Sequence, residues 1–387
     1  MRRVYLDNNA TTPVLPEVFE AMKPFYLERF GNASSIHHYG QHARAAVEKA
    51  RAAVAALMHC RPAEVVFTSG GTEGDNAGIF GLVSKGDHVI TSTIEHSAVL
   101  NTCKRLEQMG CEVTSVGVNG RGEIDPEDVR KALRPNTRLI SVMMANNETG
   151  VLQPVEEIGK IAREADVFFH TDAVQAAGKV PIDVEKIGCD VLSISGHKIH
   201  APQGTGAMYI RKGTLIQPLI YGGSHERQRR AGTENLPGIV GLGKAAELAT
   251  GWLSSGPAEM AAMRDRLQQS VLSAVEAAGV NGAGAARVPN TTNLWFDYIE
   301  GEALVIALDL KGLAVSSGAA CSSGAIEPSH VLLAMGLPHD RARASVRISL
   351  GKQTTQEDVE FAVSVIPETV GRLREISPLY AKQAISH

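Results

Sequence analysis

Several common signposts are missing from this chain, and each absence excludes something. The five cysteines, at positions 60, 103, 111, 189 and 321, form no CxxC pair and no metal-ligand spacing. An odd, scattered set in a chain of 387 residues points to reduced thiols in the cytosol and away from a disulfide framework or structural zinc. There is no basic excess. The formal net charge of −4 lacks the electrostatic footprint that nucleic-acid binding requires. No apolar run approaches the roughly 18 residues of a membrane span. The start, Met1-Arg2-Arg3-Val4-Tyr5-Leu6-Asp7-Asn8-Asn9, turns polar at once, so no secretory signal is expected. Neither repeats nor low-complexity tracts indicate an array.

What is present is an ordinary soluble composition, with 44% hydrophobic and 21% charged residues, and a length that favours two domains. From about residue 65 to 210, short apolar runs alternate with helical patterns. That alternation argues for an α/β architecture with a mostly parallel sheet, in which ligands bind beyond the carboxyl ends of the strands. Polar clusters fall at those ends. Ser69-Gly70-Gly71-Thr72 follows the run 65–68, and His96 comes a few residues after 88–91. Asn147 follows 139–144, Asp172 and Gln175 follow 167–170, and Ser195, His197 and Lys198 follow 189–192.

Two of these clusters carry chemistry. The first is Ser193-Ile194-Ser195-Gly196-His197-Lys198, where a lysine stands just after a buried strand among small and hydroxyl residues. Desolvation or a neighbouring cation lowers a lysine pKa and makes its amine a nucleophile toward carbonyls, which points to pyridoxal phosphate. The second is the turn at Gly70-Gly71-Thr72, where strand, glycine-rich turn and helix start suit a phosphate. It has neither the GxGxxG nor the GxxxxGK[ST] spacing, so a dinucleotide or nucleoside-triphosphate site is not favoured. Taken singly, each cluster also fits a plain loop; the lysine is then a strand-end residue and Thr72 an N-cap.

The second half of the chain adds three features. Residues 222–235 form a loop with Arg227, Arg229 and Arg230, ordinarily a solvated surface. The Ser254-Ser255-Gly256-Pro257 break is a candidate hinge, with a helix expected from there to about 278. Ser316-Ser317-Gly318-Ala319-Ala320-Cys321-Ser322-Ser323-Gly324 surrounds a thiol with small residues and suggests mobility. Cys189, at the end of an apolar run, reads instead as a buried hydrophobe. Arg347 sits inside a strand pattern, where its planar fork suits a carboxylate, although an ordinary salt bridge is the commoner fate.

End to end, the chain resembles the pyridoxal-phosphate-dependent cysteine desulfurases of the NifS/IscS type, in the class-V aminotransferase-like family. The resemblance rests on Tyr5-Leu6-Asp7-Asn8-Asn9-Ala10-Thr11-Thr12-Pro13, Thr68-Ser69-Gly70-Gly71-Thr72-Glu73, Glu95-His96 and Asn146-Asn147-Glu148-Thr149-Gly150. It rests equally on Asp172-Ala173-Val174-Gln175, Ser195-Gly196-His197-Lys198 and the segment ending at Cys321. Residues 197–202, 232–235 and 373–380 look closer to NifS.

The resemblance implies fold type I of the pyridoxal-phosphate-dependent transferases. A large cofactor-binding domain would span 15–253, and a smaller α/β domain would be made of 1–14 and 254–387. It implies that Lys198 holds the cofactor and carries protons, Asp172 pairs with the ring nitrogen, and His96 stacks on the ring. Asn147 and Gln175 would bond the ring oxygen and substrate side. Gly71, Thr72, Ser195 and His197 would hold the phosphate, joined in a homodimer by the partner subunit's Thr233. Arg347 would take the carboxylate of L-cysteine. Cys321 would accept sulfur as a persulfide, with a possible contact to a nascent cluster, and pass it to an iron–sulfur scaffold protein in the cytoplasm. An aminotransferase, a selenocysteine lyase or an inactive sulfur-carrier adaptor are the alternatives. Gly71, Gly74 and Gln203 depart from the family's common alanine, serine and lysine, without touching a catalytic role.

Overall fold

The computed structural model describes residues 2–317, 327–378 and 380. In chain order the strands are β1 (Val4–Tyr5), β2 (Val65–Thr68), β3 (His88–Ser92), β4 (Glu112–Val116), β5 (Thr137–Ser141), β6 (Phe168–Asp172), β7 (Val191–Ser195) and β8 (Gly206–Ile210). Then come β9 (Ala278–Val280), β10 (Thr291–Phe296), β11 (Leu313–Ala314), β12 (Ser316–Ser317) and β13 (Ser345–Ser349).

Seven of them form one sheet in the order β2-β8-β7-β6-β5-β3-β4. Strands β2, β3, β7 and β8 are buried at every residue, which is why they read as continuous apolar runs instead of alternating ones. The parallel pairings run from β7 through β6, β5 and β3 to β4, as the alternation predicts. The exception is β8, antiparallel to both β7 and β2. A parallel return needs a crossover of roughly a dozen residues or more. Residues 196–205 are too few for one, so the chain doubles straight back, and that tight connection contains Lys198.

One core packs the sheet against helices His38–Leu57 and Leu236–Trp252 through Val47, Val54, Leu242 and Ala245. The contact is close because the facing residues are small. A Cβ on Gly243 would lie 2.6 Å from that of Ala50. A second core gathers Leu6, Leu267, Leu294, Leu304, Val346 and Ile366. It covers an antiparallel sheet in the order β12-β13-β10-β9 and draws in the N-terminus, because β1 pairs in parallel with β11. This threading carries the polar turn 7–13 from the second core across to the C-terminal end of β7.

Two local expectations are corrected. The helical patterning from about Pro16 to Phe30, which the sequence suggests as one helix, is two pieces, Pro16–Met22 and Pro24–Leu27, because Pro24 has no N–H to continue the first. The helix expected to reach 278 stops at Ala274, and the chain enters β9. Among the described residues no helix is long and apolar enough to cross a membrane, and no group of three or more His, Cys, Asp or Glu side chains could hold a metal ion.

Candidate active site

The carboxyl ends of β2, β3, β6 and β7 surround a cavity of about 390 Å³, closed on its other side by Asn9, Ala10 and Arg347. Lys198 enters it from a single turn of 3-10 helix, Gly196–Lys198, that follows β7. Its Nζ donates to the carbonyl oxygens of Asn9 and Ala10, the latter at 2.8 Å. Both acceptors are neutral, and burial followed by the Arg347 charge pulls the amine down to about 8. A lysine so placed gives up its proton far more readily near neutral pH than an ordinary one, as a nucleophile must.

Asp172 ends β6 on the cavity floor. One oxygen accepts the Val174 N–H at 2.8 Å, and no ion-pair partner of Asp172 occurs among the described residues. Burial, and then the Asp75 carboxylate, push it up to about 7. Asp75 itself is raised to about 7 by burial, and one of its oxygens has no hydrogen-bond partner. His170 lies beneath them, its Nε2 3.2 Å from Ser193 Oγ and 3.5 Å from Asp75 Oδ1. Burial drives that ring to about 4, so it is neutral and leaves the floor uncompensated.

His96 is the N-cap of helix Ser97–Gln108. Its Nδ1 accepts the Ala98 N–H at 3.1 Å, which places any ring proton of the neutral form on Nε2. Burial lowers its pKa, with Asp172 acting against the shift.

The glycine-rich turn after β2 opens helix Gly71–Phe80, whose first residues, Gly71 and Thr72, line the cavity mouth together with Ser195 and His197. A Cβ on Gly71 would meet Val174 Cγ2 at 2.6 Å, so a larger residue there must push Val174 aside. His197 is bonded through Nδ1 to Thr11 Oγ1 at 3.1 Å and is lowered to about 4 by burial and then by Lys198. The turn is held from behind, because Glu73 accepts Ser69 N–H and pairs with Arg230 at 2.8 Å. Arg51 and Glu226 meet at 2.7 Å and are both buried. The arginine loop is therefore not simply solvated; it braces the turn.

On the opposite wall Arg347 reaches in from β13. It donates to Asp7 Oδ1 at 2.7 Å and to the Asn147 carbonyl at 3.1 Å, while its Nε has no partner among the described residues. The salt-bridge reading of this arginine is thus realised toward Asp7, and its unpartnered Nε is buried.

Gly71, Thr72, His96, Asn147, Asp172, Gln175, Ser195, His197, Lys198 and Arg347, expected from widely separated motifs, all line this one cavity. Thr233 does not; it borders a separate depression with Ser69, Thr205 and Arg230. Cys321 lies outside the described residues. Missed from the sequence were the cavity-lining Asn9, Asp75, Met143 and Val174, and the buried Lys179 behind Gln175. Asn9 and Val174 stand inside quoted motifs, where a polar N-terminal turn was the available signal. Met143 looked like any apolar strand residue.

Residues 4–361 match the family model "Aminotransferase class-V". The chain belongs to that family. A cysteine desulfurase IscS of Dictyoglomus turgidum is 49% identical over 381 residues, 97% of each chain. A solved NifS-like protein superposes with a TM-score of 0.90 at 39% identity, over 96% of this chain and 100% of its own. A structure of SspA in complex with cysteine gives a TM-score of 0.79 at 37% identity, over 90% of this chain and 98% of that one. The fold is accordingly that of the NifS-like type I enzymes, and members of this class-V family are pyridoxal-phosphate dependent. The residues present fit that cofactor. A buried carboxylate without a cation awaits a protonated ring nitrogen, a depressed lysine awaits an aldehyde, and a helix N-terminus with two hydroxyl residues suits a phosphate.

Proposed function

We infer that this chain is a pyridoxal-phosphate-dependent cysteine desulfurase, which converts L-cysteine to L-alanine and takes the sulfur as a persulfide. The observation that carries the reading is the pairing, in one cavity, of a depressed Lys198 amine with an Asp172 carboxylate that lacks a cation. When bound, the cofactor supplies an electron sink for the carbanion left by proton loss at the substrate Cα.

The protein's own groups do the rest. Asp172 keeps the ring nitrogen protonated, and His96 covers the ring face and holds a proton at Nε2. Gln175 and Asn147 bond the ring oxygen and the substrate. Gly71, Thr72, Ser195 and His197 bind the phosphate. Arg347, which lines the cavity, takes the substrate carboxylate, and Lys198 Nζ moves the Cα proton. Cys321, as thiolate, attacks the substrate sulfur. An S–S bond forms, the C–S bond breaks, and its electron pair stays with the β-carbon, which takes a proton and becomes the methyl group of alanine.

The domain division, 15–253 against 1–14 with 254–387, is part of the proposal; the core around Leu6, Leu267 and Leu294 supports it, while Ile94 and Met143 pack with Val331 and Leu332 across it. A cytoplasmic location is part of the proposal. It suits Cys60, Cys103, Cys111 and Cys189, which are unpaired thiols. A homodimer is supported by large exposed apolar side chains within residues 19–39, among them Leu27 at 82% and Ile36 at 91% exposure. In that dimer the partner subunit's Thr233 completes the phosphate site. Light scattering after gel filtration should give twice the chain mass at micromolar concentration; a monomer would remove the shared site from the reading.

The deciding experiment compares wild type with Cys321→Ala for alanine and sulfide release from L-cysteine, first with a thiol reductant and then with an iron–sulfur scaffold protein as acceptor. The variant should keep the bound chromophore and lose turnover by about a thousandfold or more. Unchanged sulfide release would eliminate the persulfide and favour a lyase or transaminase. Sulfur that leaves only to the reductant would eliminate the scaffold as acceptor.

A further inference from the structure

Lys179 is a buried amine to which none of the roles above gives a task. It lies four residues after Gln175, is 7% exposed, and has no ion-pair partner among the described residues. Its two hydrogen-bond acceptors are both carboxamides, Gln175 Oε1 at 2.6 Å and Asn9 Oδ1 at 3.2 Å. The titratable groups around it are Lys198, Arg347 and His200, with Lys352 lining the same small cavity, so its surroundings are basic. Burial first, and then Lys198 and Arg347, press its pKa well below the ordinary lysine value. A buried amine without a counter-ion is costly, whereas a methionine of similar length would fill the same space. The lysine must therefore be doing something polar.

What it does follows from the chemistry of an amide. A glutamine side chain has one end that only accepts and one that only donates, and its neighbours decide which end faces a cavity. Lys179 occupies the Oε1 end of Gln175. The Nε2 end donates to the Asn9 carbonyl at 3.0 Å and has a second N–H to give, and both Gln175 and Asn9 line the cavity. The same Asn9 carbonyl receives Lys198 Nζ, so both amines bear on one short polar turn.

We propose that Lys179 is a positioning residue that fixes the amide orientation of Gln175, so that the cavity wall there presents a hydrogen-bond donor to an anionic ring oxygen of the cofactor. This rests on the reading above in which pyridoxal phosphate occupies the cavity with its ring oxygen at Gln175. With Lys179 gone, only the bond from Nε2 to the Asn9 carbonyl holds the amide, and a flip that offers a carbonyl to the anion becomes easier.

The test uses the purified enzyme with pyridoxal phosphate as the probe, in wild type, Lys179→Met, Gln175→Ala and the double variant. Two quantities are read: the equilibrium dissociation constant of the cofactor, and the pH midpoint of its visible band when bound. Lys179→Met should weaken binding about tenfold, the loss of one charge-assisted hydrogen bond. It should also raise the midpoint by about one unit, because losing the donor presented by Gln175 favours the protonated chromophore. In the Gln175→Ala background the same substitution should add nothing, because the intermediary is gone. If Lys179→Met does not give folded protein, Lys179→Ala, which also removes the donor, is read in the same way.

An unchanged dissociation constant and midpoint in Lys179→Met would overturn the proposal, as would effects that add fully in the double variant. Those outcomes differ from a failure of the underlying reading. In that case Gln175→Ala itself would bind the cofactor like wild type, and both statements would fall together.

Discussion

Opposite sides of the cavity differ in charge, and each is out of balance in its own way. Beneath it, behind the ends of β2, β3 and β6, lie Asp75, Glu95 and Asp172, all buried, with burial raising Asp75 and Asp172 to about 7 and Glu95 to about 8. Across it lie Lys179, Lys198 and Arg347, where burial and like charge push both amines down. The two sets do not cancel each other. The ion pair made by Arg347 is with Asp7, and Lys198 bonds only to carbonyls. A protein that sought only stability would replace such groups with apolar ones, because unpaired buried charge costs several kcal/mol. A ligand with a cationic ring nitrogen at one end and an anionic oxygen at the other satisfies both sides at once. The lesson is that the site is built around a missing dipole.

The largest effect should come from removing the reactive member of the basic side. Lys198→Ala should lower alanine formation by about a thousandfold or more and abolish covalent attachment of the cofactor. Borohydride reduction followed by intact mass should show the cofactor bonded to wild type and absent from the variant. Attachment that persists in the variant would move the role to another lysine.

The acidic side is tested by pH. A carboxyl raised from 3.8 to about 7, as Asp75 is, keeps its proton in the folded chain after the unfolded chain has lost it. Between those values the folded state binds more protons, so its contribution to stability falls as pH rises, and the penalty is complete above about 7. Asp75→Asn removes the penalty. Urea unfolding of the cofactor-free protein should therefore show the variant gaining on wild type by on the order of 1 kcal/mol per pH unit between pH 5 and 7. A constant difference would mean that Asp75 ionises normally.

The smallest effect belongs to the rim. Gln203 donates to Thr11 Oγ1 at 3.3 Å beside Thr72, Ser195 and His197. Gln203→Lys should tighten cofactor binding by roughly threefold at low salt and lose the gain at high salt, as exposed charges do. A larger, salt-independent gain would place this position inside the site.

Much of this was legible in the sequence because the fold puts function where the pattern changes. Each apolar run that becomes a strand of the central sheet ends in a polar cluster, and such ends face the same edge whatever the details of packing. The motif residues from Gly71 to Arg347 could therefore be named before any coordinate. Asp75 and Lys179 could not. An aspartate in a helix and a lysine after a turn are surface residues by default, and only burial makes them consequential. The reversed direction of β8 was also unread, since it depends on counting the residues available to cross the sheet.

The sequence alone determined the α/β alternation, the candidate lysine and the family. Strand periodicity, turn chemistry and motif spacing are local properties, carried by neighbours along the chain. Tertiary structure alone decided how the charges balance. The N-terminal turn crosses from one core to lie over Lys198, Arg347 closes onto Asp7, and Lys179 is enclosed behind Gln175. Desolvation and Coulomb energies depend on distance through space, and no local pattern in the chain records them.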